Sequence, residues 1–149
     1  MNTLSPFQKL KIYYKTSPVF LSEASLVIGL LITAANYWNE MLFLGLFLLL
    51  MSGIMIFVKL RSMRKIVNII ENGVKTTGSV TSAQKTIYRK NYRRIIKFSI
   101  LFEVEYQHYF IHRDDTKRYG LKQGDKVIVY YMKDDPEINV AAIFYGLKN

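Results

Sequence analysis

The apolar run from Met41 to Val58 constrains this chain more than any other feature of its sequence. Its eighteen residues contain no charged side chain. As an α-helix the run would be about 27 Å long, close to the ~30 Å thickness of the hydrocarbon layer of a bilayer. A helix of a soluble domain rarely needs so long a segment without a polar face. The sequence therefore predicts a membrane protein.

A second apolar segment, residues 19–35, precedes the first. Ser17 is a suitable N-cap for it, and Pro18 fits the first helical position. The short turn between the two segments contains Tyr37 and Trp38, which are residue types that favour the membrane interface. We therefore expect a transmembrane hairpin over residues 18–58, with antiparallel spans at about 18–36 and 41–58.

Basic residues flank this hairpin at its outer ends. Three lysines precede the first span and four cations follow the second within seven residues, whereas the turn has no Lys or Arg. The positive-inside rule then places both termini in the cytoplasm. The flanking residues are Lys9, Lys11, Lys15, Lys59, Arg61, Arg64 and Lys65.

The first span carries a face of small or polar residues and a single charge. Small residues at helical spacing let two helices approach closely in lipid, so this face is predicted to pack on the second span, on another protein or on a second copy of the chain. The face consists of Ser22, Ser25, Gly29 and Thr33. Glu23 is predicted to be an interfacial anchor or to pair with Lys59, because a lysine stem can reach back along a helix. Coupling to a proton or ion, or contact with a partner, are the alternatives.

The segments on either side of the hairpin are also predicted to be helical. In residues 1–17, Phe7, Leu10 and Tyr14 share one helical face among the lysines. This pattern predicts a basic amphipathic helix on the inner leaflet, with an unstructured basic tail as the alternative. After the second span, a helical connector is expected over residues 59–73, where Asn72-Gly73 supplies a stop.

Residues 74–149 have the pattern of a β domain. Apolar side chains alternate with more polar ones over residues 97–106, as in a half-buried strand. The apolar set is Phe98, Ile100, Phe102, Val104 and Tyr106. Further strands are predicted at 74–87, 109–113, 126–132 and 139–145. The expected fold is a membrane α + β architecture: a two-helix transmembrane hairpin followed by a small five-stranded antiparallel β-barrel-like (OB- or SH3-like) cytoplasmic domain.

The order of motifs in this domain is that of a family. GVKTTGSV (73–80) is followed by a basic loop and the alternating strand, and then by GDKVIVYY (124–131) and Asp135-Pro136-Glu137. Over about residues 73–140 the chain resembles the bacterial domain of unknown function numbered 3592, which often lies beside one or two membrane spans. Members often have a glycine-containing turn where this chain has residues 106–109. The resemblance implies a small barrel in a bacterial inner membrane, and no activity or catalytic residues.

The stretch KTIYRKNYRRIIK, residues 85–97, is the main candidate for a binding site. It has six cations, no acid and two interleaved tyrosines. One interpretation is a solvated hairpin that has no binding function. Anionic lipid and an acidic protein of unknown identity are the functional alternatives, and nucleic acid is disfavoured because lipid headgroups are the nearer anions. The candidate residues are Lys85, Tyr88, Arg89, Lys90, Tyr92, Arg93, Arg94 and Lys97.

Several function classes are disfavoured by the sequence. The absence of cysteine excludes disulfides, thiolate metal sites and a cysteine nucleophile. His108 and His112 would lie about 13 Å apart on a strand, too far to share a metal ion without further ligands. No nucleophile elbow, phosphate-binding glycine loop or acid/base pair is present in the sequence. We therefore expect no enzyme, no metal and no cofactor.

The sequence is best interpreted as a non-enzymatic inner-membrane protein. It would present a basic cytoplasmic β domain for protein or lipid-surface recognition, as an accessory subunit or a membrane-resident binding protein. One alternative is an immunity protein that protects the cell against a membrane-active or secreted toxin. The other is a subunit of an oligomeric transporter or channel.

Topology can be tested directly. Reporter fusions after Lys15 and after Asn149 should both give a cytoplasmic signal, because the cations flank the hairpin on one side only. Leu48→Lys, in the middle of the second span, should cost about 2.5–3.5 kcal/mol of insertion. An external signal from either fusion would contradict the predicted orientation, and unimpaired insertion of Leu48→Lys would contradict the span.

Overall fold

The structure is a computed structural model that describes residues 3–16, 20–35, 42–90, 92–116 and 119–147; the side chains of residues 16 and 20–22 lie outside this description. The three helices are α1 (Pro6–Thr16), α2 (Phe20–Ala35) and α3 (Leu42–Asn72). The five strands are β1 (Val74–Lys90), β2 (Arg93–Val104), β3 (Gln107–Asp115), β4 (Lys126–Met132) and β5 (Asp135–Ala141), and a 3₁₀ helix follows over Ala142–Tyr145.

Helix α3 joins the predicted second span and the predicted connector without a break. It has 31 residues, and among the described residues it is the one helix long and apolar enough to cross a membrane. Helix α2 is shorter, with an apolar part from Glu23 to Ala35. The structure thus supplies one candidate span, and the second span of the expected hairpin remains a prediction.

Helices α2 and α3 approach each other closely where both carry small residues. A side chain added at Gly45 of α3 would have its Cβ atom 2.9 Å from the backbone nitrogen of Thr33. One added at Gly29 would lie 3.2 Å from Leu49. Two members of the predicted small-residue face, Gly29 and Thr33, therefore pack on α3; the side chain of Ser22 is outside the described residues.

Helix α1 runs antiparallel to the second half of α3. Near the start of α1, Lys9 Nζ lies 2.9 Å from Glu71 Oε1, and the Leu4 N–H donates to the same oxygen at 3.2 Å. The Lys9 ammonium, with help from the Leu4 N–H, holds the pKa of the Glu71 carboxyl below its usual range. Near the end of α1, Tyr13 contacts Lys59, which follows the apolar half of α3.

Helix α1 packs on α3 through a residue outside its predicted apolar face. Ile12 is fully buried against α3, while Phe7, Leu10 and Tyr14 form an exposed stripe on another face of α1. Burial of Ile12 therefore aligns the helix with α3. The prediction that this segment is helical is confirmed.

The five strands form one antiparallel sheet with the order β3-β2-β1-β4-β5. The long strand β1 is central and pairs with β2 on one side and β4 on the other. The outer strands β3 and β5 lie close to each other, so the sheet is a nearly closed barrel. A side chain at Gly78 of β1 would press on Ile100 and Val129 of the core, which explains the glycine.

The alternation predicted for β2 is confirmed up to Val104. Phe98, Ile100 and Phe102 are buried in the barrel core. Tyr106, the last member of the predicted set, is instead exposed, because Glu105 and Tyr106 form the two-residue turn to β3. Both have positive φ angles, 51° and 67°, so this turn adopts a left-handed conformation without glycine.

Other strand boundaries also differ from those predicted. β1 extends to Lys90 and β3 covers Gln107–Asp115, each longer than expected. The last predicted strand, residues 139–145, is β5 only as far as Ala141. The chain then turns into the 3₁₀ helix because this conformation buries Ala142 and Phe144 at one end of the barrel.

A small apolar cluster joins the barrel to the helices. Its buried members come from α1, α3 and β5 and are Ile12, Ile66, Ile69, Ile70 and Val140. Tyr130 and Met132 of β4 pack around them. Because this cluster spans the predicted boundary at residue 73, the barrel and the end of α3 form one packed unit, and tests of the barrel require the full chain.

The close approach of α2 and α3 predicts different effects for two glycines of the same helix. Gly45→Ala should push α2 away, because the new methyl group would meet the Thr33 backbone, whereas a Cβ atom at Gly53 meets nothing within 4 Å. Alanine favours the helix by about 1 kcal/mol at both positions, so Gly53→Ala is a matched control.

The readout is a disulfide engineered into a chain that has no cysteine of its own. Gly29→Cys and Leu49→Cys should crosslink readily in the Gly53→Ala background and poorly in the Gly45→Ala background. Equal crosslinking in the two backgrounds would show that Gly45 is not needed for helix packing.

Candidate functional site

Residues 85–97 form a two-stranded extension of β1 and β2 beyond the barrel, which we call the basic ribbon. Arg89 lies opposite Arg94, and Lys90 lies opposite Arg93. Tyr92 has a φ of 62° at the tip, and Asn91 is outside the described residues. The structure therefore brings all eight residues of the predicted binding site into one paired hairpin.

The ribbon exposes apolar and aromatic side chains as well as cations. Tyr92 is 98% exposed and Ile87 is 86% exposed, and Tyr88 is also largely exposed. A hairpin of this kind gains little from packing, so its stability depends on pairing between its own strands. Exposed tyrosines next to cations are typical of surfaces that contact an interface or a partner.

The charge pattern of the ribbon tip is unfavourable in isolation. Like charges directly opposite each other across two strands destabilise the pair, and two such pairs follow one another here. At the ribbon base, Lys97 lies opposite Asp114 of β3 and so has an acidic neighbour. At the tip, each described cation has another cation as its cross-strand partner. An anion from outside the chain would therefore reduce the repulsion between these paired cations.

A cleft lies at the base of the ribbon. It has a volume of about 370 Å³ and is floored by Phe98, with Lys85 and Lys122 among its lining residues. The Tyr119 ring also lines the cleft and packs against Phe98 in an edge-to-face arrangement, with ring centroids 5.7 Å apart. Burial, together with a hydrogen bond from the Tyr119 hydroxyl to Asp115, raises the pKa of Tyr119 above its usual range.

The ribbon leaves the barrel at the end nearest the apolar half of α3. β1 starts directly after α3 ends, and at Ala83 it lies opposite Phe98. Phe98 packs on Tyr119, whose ring lies 6.0 Å from Lys15 Nζ at the end of α1. That end of α1 is also where Tyr13 meets Lys59. β1 therefore doubles back along α3, and residues beyond Ala83 continue toward the apolar segment.

The opposite end of the barrel is acidic. A groove of about 540 Å³ there is lined by Glu103 of β2, by Glu105 in the turn after it, by Lys133 between β4 and β5 and by Pro136 of β5. Asp134, Asp135 and Glu137 follow in the same turn and strand. The barrel thus has a basic end toward the apolar half of α3 and an acidic end away from it.

Glu23 of α2 belongs to a cluster that joins all three helices. Lys59 is only 4% exposed, and its Nζ lies 3.8 Å from Glu23 Oε1 and 3.7 Å from the centroid of the Tyr13 ring. The Tyr13 hydroxyl donates to the same Glu23 oxygen at 3.2 Å. The structure thus contains the ion pair that the sequence led us to expect, with a cation–π contact as well.

Two contributors to this arrangement were not identified from the sequence. Tyr13 was missed because Tyr14 and the other members of the exposed stripe dominate the helical pattern of α1. Gly45 was missed because a glycine in an apolar run has no distinctive pattern. The sequence signal available was Ser52, a small polar residue seven positions later on the same face of α3, and the structure buries both residues. Of the two histidines considered in the sequence, His112 has its Nδ1 atom 3.0 Å from the Ser99 hydroxyl.

No family model matches this chain, and no curated protein or solved structure matches it either. The resemblance to the domain numbered 3592 therefore remains a prediction.

The opposed cations of the ribbon predict that a stabilising substitution will weaken binding. Arg94→Glu replaces a repulsive pair with an opposite-charge pair at Arg89, which should stabilise the ribbon by about 0.2–1 kcal/mol. Amide hydrogen exchange across the ribbon should slow, while affinity for anions should fall. Faster exchange in this variant would mean that the two arginines do not face each other.

Proposed function

We propose that this chain is a non-enzymatic bacterial inner-membrane protein that presents the basic ribbon to an anionic surface. In this proposal α2 and α3 both cross the membrane, and both termini and the barrel are cytoplasmic. The anionic surface belongs to a protein partner or to lipid. The observation that carries the proposal is the pairing of Arg89 with Arg94 and of Lys90 with Arg93 at an exposed tip.

Charge distribution supports a binding role for the ribbon. After Val58 the chain has 18 of its 21 lysines and arginines and 9 of its 11 acids, a net charge of +9 for this part. The ribbon holds six of these cations and none of the acids, so the excess is concentrated at one end of the barrel. A positive electrostatic potential concentrated at one end of the barrel favours association with anions.

The geometry of Glu23 favours an anchoring role over ion transport. Its carboxylate already contacts a buried ammonium and a tyrosine hydroxyl. An acid that carries protons or ions through a pore needs to exchange these contacts for the ion. The cluster therefore supports a recognition protein over a channel subunit.

The test compares two variants of equal net charge in the full chain. Arg89→Gln/Arg94→Gln removes two cations from the ribbon, and Lys75→Gln/Lys133→Gln removes two exposed cations from the acidic end of the barrel. Both proteins are placed in nanodiscs of zwitterionic lipid, and binding to immobilised polyglutamate is measured by interferometry.

The ribbon variant should bind about 10- to 30-fold more weakly than the natural protein, on the estimate of roughly 1 kcal/mol per cation near an anionic surface. The control variant should bind almost as well as the natural protein. Binding should also fall between 0.1 M and 1 M salt, as the Debye length shrinks from about 10 Å to about 3 Å. Equal losses in the two variants would mean that only net charge matters, and the ribbon would then not be a binding site.

A further inference from the structure

We infer that the anionic surface bound by the ribbon is the inner leaflet of the membrane that holds α3. This inference rests on the proposed function and names its partner. It follows from three observations: the direction of the ribbon, its length, and the kind of side chains at its tip.

The direction follows from the path of β1. The contacts from Phe98 through Tyr119 to Lys15 place the middle of β1 beside the end of α1. From Lys59 to Asn72, α3 rises about 20 Å away from its apolar half. From Val74 to Ala83, β1 is about 30 Å long and runs back toward the apolar half of α3. At the 35–45° tilt of barrel strands, this length covers a little over 20 Å along the barrel axis. Ala83 is therefore back at about the level of Lys59.

The ribbon then has enough length to reach the headgroup layer. From Ala83 to Lys90 the strand extends about 23 Å further. The headgroup region adds only about 5–8 Å to each side of the hydrocarbon layer. The pairing of β1 with β2 shifts register between Lys85 and Arg89, and a bulge at this point lets the ribbon bend and lie along the surface.

The tip has the chemistry of a membrane interface. Tyrosines prefer the headgroup level, where the ring is in an apolar region and the hydroxyl remains hydrated. Cations beside them attract anionic headgroups. Tyr88, Tyr92 and Ile87 are exposed among four arginines and lysines, which is the combination that such a surface binds.

A second copy of the chain is a poor occupant for the ribbon. The complementary acidic groove lies at the end of the barrel away from the apolar half of α3. Two copies in one membrane have the same orientation, so the ribbon of one and the groove of the other lie at different heights. Lipid is present at the height of the ribbon in every copy.

The test uses two tyrosines with the same backbone conformation at opposite ends of β2. Tyr92 has a φ of 62° and is 98% exposed, and Tyr106 has a φ of 67° and is 95% exposed. The single tryptophan is first replaced by Trp38→Phe. Tyr92→Trp and Tyr106→Trp are then made separately in the full chain and reconstituted in nanodiscs that contain brominated phosphatidylglycerol or brominated phosphatidylcholine.

The Tyr92→Trp protein should show a blue shift and quenching by brominated phosphatidylglycerol that is lost in 1 M salt or with brominated phosphatidylcholine. The Tyr106→Trp protein should show neither effect. Because span and ribbon belong to one chain, quenching should not depend on protein concentration, and brominated discs added from outside should quench far less. Quenching of both proteins alike, or of neither, would overturn the inference.

A spin label gives a second readout that does not depend on tyrosine replacement. Ile87→Cys adds one cysteine to a chain that has none, at a side chain that is 86% exposed. Its label should gain accessibility to oxygen and lose accessibility to a water-soluble nickel reagent in anionic discs. If neither probe reports lipid while the ribbon still binds polyglutamate better than the control variant does, the leaflet inference fails and the proposed function stands with an acidic protein as partner.

Discussion

The apolar cluster around Ile12 determines how the barrel is placed relative to α1 and α3. It packs α1 and the end of α3 against β4 and β5 of the barrel. Without it the barrel would be joined to the helices by the chain at Gly73 and by peripheral contacts such as that of Lys15 with Tyr119, and the direction of the ribbon would be less well defined. About 0.8 kcal/mol per buried methylene group is gained in such a cluster, and its five buried aliphatic side chains favour the packed arrangement of barrel and helices.

The cluster around Lys59 also joins the helices, nearer the apolar half of α3 and with polar groups. A buried ammonium is costly unless it is paired, and here it has a carboxylate and an aromatic face. Each of the three helices supplies one member, so loss of any one leaves the others poorly compensated. Ile12 of the apolar cluster and Tyr13 of the polar cluster are consecutive residues of α1, so the two clusters together define a single orientation of this helix.

Much of the architecture could be predicted from sequence patterns with a strict period. The apolar run of α3 and the alternation of Phe98, Ile100 and Phe102 each depend on local spacing, and both are seen in the structure. The end of β5 was predicted wrongly because Ala142 and Phe144 are apolar in a strand and in a 3₁₀ helix alike. The turn at Glu105 and Tyr106 lacks the glycine that signals such a turn.

The residues of the candidate site could be predicted from the sequence, but the direction in which the basic ribbon points could not. Six cations among tyrosines are visible in the sequence, but their cross-strand opposition depends on the register of β1 and β2. The return of β1 along α3 depends on contacts between residues far apart in the chain, such as Lys15 with Tyr119. Long-range contacts of this kind leave no local pattern in the sequence, so they could not be predicted from any short segment of it.

The continuity of α3 has a mechanical consequence. From Ile54 to Asn72 the helix contains neither glycine nor proline, and its end is packed into the barrel. A helix without a hinge transmits its inclination to whatever is fixed to its end. In a membrane that α3 spans, a thinner bilayer increases the tilt of the helix. The barrel would tilt together with the helix. A change in bilayer thickness would therefore change the height of the basic ribbon above the membrane surface.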